Sequence, residues 1–555
     1  MTQNIKMRFD VKVPMRDGVE LSADIYMPDG PGPFPTILVR TPYDNNGAIG
    51  KAKLSAQRGY AFVAQDCRGR YDSDGAFYPW HQEANDGYDT QEWIARQPWC
   101  NGHIGMTGGS YLGLVQWLSA VHGSPHLKCI APRVITSNFY DSPNYSGGAF
   151  QLALNMLWGF GRLGRVNQNV AHYDWPELFR TLPLITADEV AGRDLPFWKD
   201  WVKHSSYDDY WREVSIEERY DRIKVPALIM GGWYDLYSKQ AFTNFNGMSK
   251  HGGTKKAREE TRLIMGPWPH PLSTSTKTGD IDFGPQSKID LEAIEEGWLS
   301  CWLKDDVDAK PDLPPIRLFV MGANVWRDEH EWPLARTQWA EYYLHSNGKA
   351  NSLLGDGELS TEPPGKEPTD QFTYDPDNPV PTIGGNNCCS PDIMPWGPYD
   401  QRPVERRKDV LVYTTPPLEA DMEVTGPIVV KLFASTSARD TDFTAKLLDV
   451  HPSGYAMNLC DGILRARYRE SFEKPKLLKP RKVYEFAIDL WVTGNLFKEG
   501  HRIRVEISSS NFPRFDRNPN TGHDPGMDAD TQPAAQTIHH TKTHPSHILL
   551  PVIPA

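Results

Sequence analysis

The chain has no uninterrupted apolar run approaching the roughly 20 residues that a membrane-spanning helix requires, so no span is expected. Its opening residues, MTQNIKMRFDVKVPMRDG, lack the apolar segment that follows the positive charges of a secretory signal, which points to a cytoplasmic chain. Cysteine is sparse, with seven in 555 residues and no CxxC pair to hold a metal. Their odd number fits reduced thiols. Cys388 and Cys389 are adjacent, and a vicinal disulfide makes tight demands on geometry, so this pair is expected to stay unbonded. Basic residues are fewer than acidic ones, and the net charge of −12 argues against nucleic acid and anionic membrane surfaces as partners. No internal repeat or low-complexity tract is present.

What the chain does hold is enough apolar content, 39%, to bury several cores, and at 555 residues it is expected to form two or three domains. The stretch MRFDVKVPMRDGVELSADIYMP alternates on both sides of Asp17-Gly18, a strong hairpin signal. FPTILVRTPY and GYAFVAQDCRG read as short buried strands. DGYDTQEWIARQPW has helical spacing, with Tyr88, Trp93 and Ile94 on one side. Strands alternating with helices predict a parallel sheet covered on both faces. The pattern covers residues 1–144 and returns over 221–350, where KIDLEAIEEGWLSCWLKDD reads as a long amphipathic helix. Between them, 145–220 is mostly helical and rich in Trp, Phe, Asn and Pro, a cap inserted over the sheet. From 351 to 555 a Gly- and Pro-rich stretch leads into short β runs divided by turns, the pattern of a jelly-roll sandwich.

The segment HIGMTGGSYLGLVQWLSAV places Ser110 where a strand turns sharply into a helix. Such a turn lifts the hydroxyl clear of the sheet and points free helix N–H groups at the oxygen that becomes negative. Gly108, Gly109 and Gly113 supply the small neighbours this turn needs. The usual elbow is G-x-S-x-G; here Leu112 stands at the second position and glycine at the third. A serine nucleophile also needs a base and an acid to orient it, in α/β-hydrolases in the order Ser, Asp or Glu, His. ALIMGGWYDLY puts Asp235 past one apolar strand, and RLIMGPWPH puts His270 past the next, both at the sheet edge where ligands bind in open α/β folds.

The segments GGSYLG, GGWYDLY and GPWPH resemble those of the CocE/NonD (cocaine esterase-like) hydrolases of the X-Pro dipeptidyl-peptidase (S15) group. The similarity runs the length of the chain and implies an α/β-hydrolase fold with a helical cap and a C-terminal jelly roll. It implies Ser110 as nucleophile, His270 as general base and Asp235 as its orienter. It also implies an oxyanion hole made by the Tyr43 hydroxyl and the backbone N–H of Tyr111. In this family Tyr237 and Phe433 match positions that line the substrate pocket, and relatives are homodimers. No cofactor is implied.

Trp158, Phe160, Trp175, Phe197, Trp198 and Trp201 lie in the inserted segment, some packing its own core and others, with Trp158 foremost, facing the serine. Relatives that act on α-amino acid esters and β-lactams hold the substrate ammonium with carboxylates soon after the triad aspartate. Here Leu236, Tyr237 and Ser238 stand there, so a cationic amine would be buried without a counter-charge. The expected substrate is a small ester or amide with an uncharged, apolar, aromatic acyl group. Two other readings compete: an X-Pro dipeptidyl aminopeptidase or β-lactam acylase, and a non-catalytic binding protein on a hydrolase scaffold. Asp66 reads as a structural loop acid, and Asp72 and Asp74 lack the spacing of a calcium loop. Adjacent His539 and His540 in a β segment point to opposite faces, so with His544 and His547 they are not expected to share a metal.

Overall fold

The computed structural model describes residues 4–272 and 275–554. Ten strands form the first sheet: β1 (Ile5–Pro14), β2 (Glu20–Pro28), β3 (Phe34–Thr41), β4 (Ala61–Asp66), β5 (Cys100–Gly109), β6 (Leu127–Arg133), β7 (Leu228–Tyr234), β8 (Arg262–Pro269), β9 (Ile316–Val320) and β10 (Val325–Glu329). Their spatial order is β1-β2-β4-β3-β5-β6-β7-β8-β9-β10. The run from β4 to β9 is parallel, and antiparallel strands close both edges. The hairpin read at Asp17-Gly18 joins β1 to β2. Short helices between Leu152 and Val214 form the cap after a small two-strand ribbon. This is an α/β-hydrolase fold.

Helix α1 spans Glu83–Ala95, over the stretch whose spacing predicts a helix, but its buried stripe differs from the apolar face expected. Glu83, Asp86, Thr90 and Gln91 face inward with Ile94, whereas Tyr88 and Trp93 are half-buried. The cause lies beneath the helix. Arg40 on β3 is fully buried and pairs with Glu83 at 2.8 Å, and Arg68 pairs with Asp86 at 2.6 Å. A buried guanidinium stripped of its carboxylates is costly, so charge rather than apolar area fixes this face.

The C-terminal part is a second, 12-stranded sheet whose longest pairing joins Met422–Thr436 to Tyr484–Phe497. Gln338–His345 already belongs to it, pairing with His547–Ile553, so the change of sheet precedes the boundary read at residue 350. The two parts meet beside β7. The Tyr234 hydroxyl donates to the Asn458 carbonyl at 3.2 Å, and the Asn386 carboxamide donates to the Trp233 carbonyl at 2.8 Å. Among the described residues no helix is long and apolar enough to cross a membrane.

Cys388 and Cys389 correct the cysteine expectation: they form a disulfide. Cys389 takes φ 80°, which turns its side chain back toward that of Cys388. The other five cysteines are free and buried, so the odd total carries no argument for a reducing compartment.

Candidate active site

Ser110 sits between β5 and helix α2 (Tyr111–Ala120) at φ 55°, ψ −128°, a backbone state that side-chain-bearing residues avoid. Its neighbours explain the displaced glycine. A Cβ on Gly108, at φ 139°, would fall 2.5 Å from the Leu112 side chain. One on Gly113 would fall 2.9 Å from Ile135 and 3.1 Å from the Arg133 carbonyl. The third residue after the serine, not the second, therefore faces β6 and must be small.

The ends of β7 and β8 bring the partners. The Ser110 hydroxyl lies 3.0 Å from His270 Nε2, and His270 Nδ1 lies 2.7 Å from Asp235 Oδ1. With Asp235 fully buried, the ring is held in the tautomer that leaves Nε2 to accept the serine proton.

The Trp158 indole N–H donates to the Tyr43 hydroxyl at 2.9 Å, which leaves the phenolic proton free to be donated in the cavity that Tyr43 and Ser110 both line. Burial pushes the Tyr43 phenol above its ordinary range, while the nearby Arg162 charge and the bonds from Trp158 and Ser110 pull the other way. It therefore stays a neutral donor at neutral pH. The Arg162 guanidinium lies 4.9 Å from the Tyr43 ring centroid and adds positive potential behind that donor. The backbone N–H of Tyr111, first residue of α2, has no acceptor within its own helix. Its side chain is tethered from behind: the hydroxyl donates to Glu83 at 2.8 Å and accepts from the Trp80 N–H at 3.1 Å. The family resemblance implies Tyr43 and Tyr111 as the donor pair, and the fold puts both residues beside Ser110, their ring centroids 6.3 Å apart.

A cavity of about 450 Å³ opens on Ser110 and His270. Trp158 and Tyr237 line it as expected, with the Tyr237 ring 5.7 Å from that of His270. Phe433 does not, which corrects the expectation. It sits on the strand Met422–Thr436 against His544, on a part of the second sheet away from the serine. The C-terminal part reaches the cavity instead through the Cys388–Cys389 disulfide. Of the six cap aromatics only Trp158 reaches the cavity; Trp198 and Trp201 are fully buried, Trp201 stacking on Trp80 at 4.9 Å. Among the described residues no Asp or Glu lines the cavity.

Sequence reasoning missed Asn386. Its carboxamide donates to the Trp233 and Asp235 carbonyls at 2.8 and 2.9 Å and reaches Ser238 Oγ at 3.3 Å. Nothing in its neighbourhood, GGNNCC, signals a partner some 150 residues earlier.

The other sequence candidates lie apart. Asp66 accepts from the Asn45 N–H at 2.9 Å, as a loop acid does. His539 lies 3.2 Å from Ser435 Oγ, while His540 is buried between Asp370 and Glu367. A different set, Asp449, His451 and His501, puts one potential ligand atom each within 4.8 Å of the others. There His501 Nδ1 already donates to Asp449 at 2.7 Å, and a hydrogen-bonded pair accounts for the contact.

A serine, a histidine and an aspartate carried in that order by the ends of parallel strands make this a serine hydrolase of the α/β-hydrolase fold. The family follows from the sequence comparisons: the chain belongs to the X-Pro dipeptidyl-peptidase (S15) family, whose model matches residues 17–271, and the X-Pro dipeptidyl-peptidase C-terminal non-catalytic domain matches 309–549. It is 40% identical to the cocaine esterase of Rhodococcus sp. (strain MB1 Bresler) over 99% of both chains. Among solved structures, an aminopeptidase from the marine sediment archaeon Thaumarchaeota archaeon superposes with a TM-score of 0.86 at 27% identity, over 100% of this chain and 97% of that one. An alpha-amino acid ester hydrolase does so at 0.85 and 28%, over 99% and 97%. A CocE/NonD family hydrolase from Staphylococcus aureus, at 0.71 and 20%, covering 99% and 94%, shares the fold.

Proposed function

We propose that this chain hydrolyses carboxylic esters of small molecules with a neutral, apolar, aryl-bearing acyl group, through an acyl-enzyme on Ser110. The observation that carries this reading is the unbroken chain from Ser110 through His270 to Asp235 at 3.0 and 2.7 Å, opening into an apolar cavity without a carboxylate. Ser110 Oγ attacks the ester carbonyl as His270 Nε2 takes its proton. The carbonyl oxygen becomes an oxyanion held by the Tyr43 hydroxyl and the Tyr111 N–H. His270 returns the proton to the departing alcohol. A water, losing its proton to His270, then attacks the acyl-serine and releases the acid.

The second reading, an aminopeptidase or α-amino acid ester hydrolase, draws on the names of the two structural relatives. A substrate ammonium would meet Arg162 behind Tyr43 and no carboxylate in the cavity, so the ester reading is preferred. The reading extends to amides of the same acyl groups and to a homodimer, which sizing chromatography checks. The test is fluorophosphonate labelling of wild type against Ser110→Ala, followed by turnover of p-nitrophenyl acetate and benzoate, matched aryl amides and Ala-Pro-p-nitroanilide. Labelling lost in Ser110→Ala with the aryl ester turned over best is expected. Preferred turnover of the dipeptide anilide would overturn the ester reading.

A further inference from the structure

The disulfide stands at a boundary between two spaces. Beside the cavity at Ser110 lies a second, narrow one, lined by Gln151, Asn386, Asn387 and Arg514 among others. Cys388 and Leu154 line both cavities. Cys388 is buried in this partition, while Cys389 lines only the first cavity and is exposed.

The loop that carries the pair is held rigidly on either side. Gly385 and Gly397 exchange backbone hydrogen bonds at 2.8 and 2.9 Å, closing the loop at its neck. The Asn387 carboxamide ties the Gly384 and Pro395 carbonyls together at 2.8 and 2.9 Å. Asn386 fastens the same loop to the backbone of Asp235. Bonding two adjacent side chains removes the rotamer freedom that would let either thiol swing aside. The sulfurs are therefore a fixed, apolar, polarisable wall against which an acyl ring can rest.

Resting on the ester reading above, we propose that the Cys388–Cys389 disulfide is the specificity-determining back wall of the acyl pocket. It sets the depth of that pocket and closes the second cavity to longer acyl chains. While intact it favours a compact aryl acyl group. When it is opened the partition at Cys388 is free to move, and a longer linear acyl chain is admitted past Leu154. Opening needs a dithiol reductant. Its thiolate attacks the exposed Cys389 sulfur, Cys388 leaves as a thiolate, and the second thiol of the reductant resolves the mixed disulfide. Two electrons and two protons pass to the protein, giving two cysteine thiols, and the reductant ends as its own cyclic disulfide.

The experiment compares kcat/KM for p-nitrophenyl octanoate and benzoate in four forms of the full chain: oxidised wild type, wild type reduced with dithiothreitol, Cys389→Ala and Cys388→Ala. Alkylation in denaturant followed by peptide mass analysis counts the thiols at residues 388 and 389 apart from the other five cysteines, which are free. Two additional reactive thiols on reduction are expected. The octanoate-to-benzoate ratio is expected to rise at least ~5-fold on reduction or in Cys389→Ala, where the tether and one wall sulfur are lost, and further in Cys388→Ala, where the sulfur shared by both cavities is gone; one methylene in an apolar pocket commonly changes kcat/KM by about 10-fold or more. Reoxidation of the reduced wild type restores the first ratio, a control that needs no variant to fold. A ratio unmoved by reduction and by Cys388→Ala overturns the proposal, as do two free thiols at these positions in the untreated protein. Turnover of neither ester would instead sink the underlying ester reading, and this proposal with it.

Discussion

The carboxamide of Asn386, on the C-terminal part of the chain, donates to the main-chain carbonyl of Asp235 at 2.9 Å. The acid of the triad is thus positioned by two parts of the molecule, its carboxylate by His270 and its backbone by Asn386. Removing the amide in Asn386→Ala takes a donor from the Trp233 carbonyl, leaves the Asp235 carbonyl with only the Ser238 N–H at 3.0 Å among the described residues, and loosens the turn that carries Asp235. Because small displacements of catalytic groups are expensive, kcat for p-nitrophenyl esters is expected to fall about tenfold or more with a smaller change in KM. Steady-state kinetics alongside a thermal melt check this; a lowered Tm with unchanged kcat would make Asn386 a merely structural residue.

Tyr43→Phe removes one oxyanion donor while keeping the ring. A loss of about 10²- to 10³-fold in kcat is expected, with KM little altered. Trp158→Phe removes the N–H that bonds the Tyr43 hydroxyl together with part of the ring that lines the cavity, yet leaves the Tyr43 donor in place and should lower kcat less. Since burial holds the Tyr43 phenol above its ordinary range, kcat should show no alkaline limb from this group below about pH 10. A pH–rate profile compared with that of Tyr43→Phe tests the point.

Glu83→Gln leaves fully buried Arg40 its bonds to Gln65 and the residue-83 carbonyl, but among the described residues Asp86, at 3.9 Å, is then the one carboxylate paired with it. Breaking a buried pair by one partner typically costs about 3 kcal/mol or more, so the urea midpoint should fall markedly. A glutamine can still accept from the Tyr111 hydroxyl, so kcat is expected to change far less than stability. Equal loss of both would show that the charge itself, not the tether, supports the Tyr111 N–H.

Burial pushes the Asp66 carboxyl from 3.8 up to about 7, with the neighbouring Asp44 and Asp72 charges adding to it and backbone hydrogen bonds from Asn45 and Asp72 opposing it. The folded protein keeps this proton where the unfolded chain has lost it. The group's contribution to stability therefore declines as pH rises from 3.8 to about 7 and is constant above. Asp66→Asn keeps an acceptor for the Asn45 N–H and removes the titration. The Tm difference between variant and wild type should grow in the variant's favour from pH 5 to pH 8; a difference that stays flat would count against this account.

Much of the candidate site's layout is legible in consecutive residues of the sequence. A strand that turns abruptly into a helix needs glycines at particular places, and Gly108 and Gly113 stand where Leu112 and Ile135 leave no room for a Cβ. Asp235 and His270 were legible because strand ends in a parallel sheet share one edge. Turn chemistry and strand periodicity are local and written in consecutive residues. The inward face of helix Glu83–Ala95 was misread, since its polar residues answer to Arg40 and Arg68 on other elements. Likewise Phe433 proved remote from the cavity, while Cys388, Cys389 and Asn386 proved part of it or of its support. By itself the sequence determined the alternation of strands and helices, the elbow at Ser110 and the order of the three reacting side chains, because those depend on steric limits over a few neighbours. Only the tertiary structure decided which C-terminal loop faces the serine and how deep the pocket runs, because such contacts join residues far apart in the chain and are selected by packing of the whole.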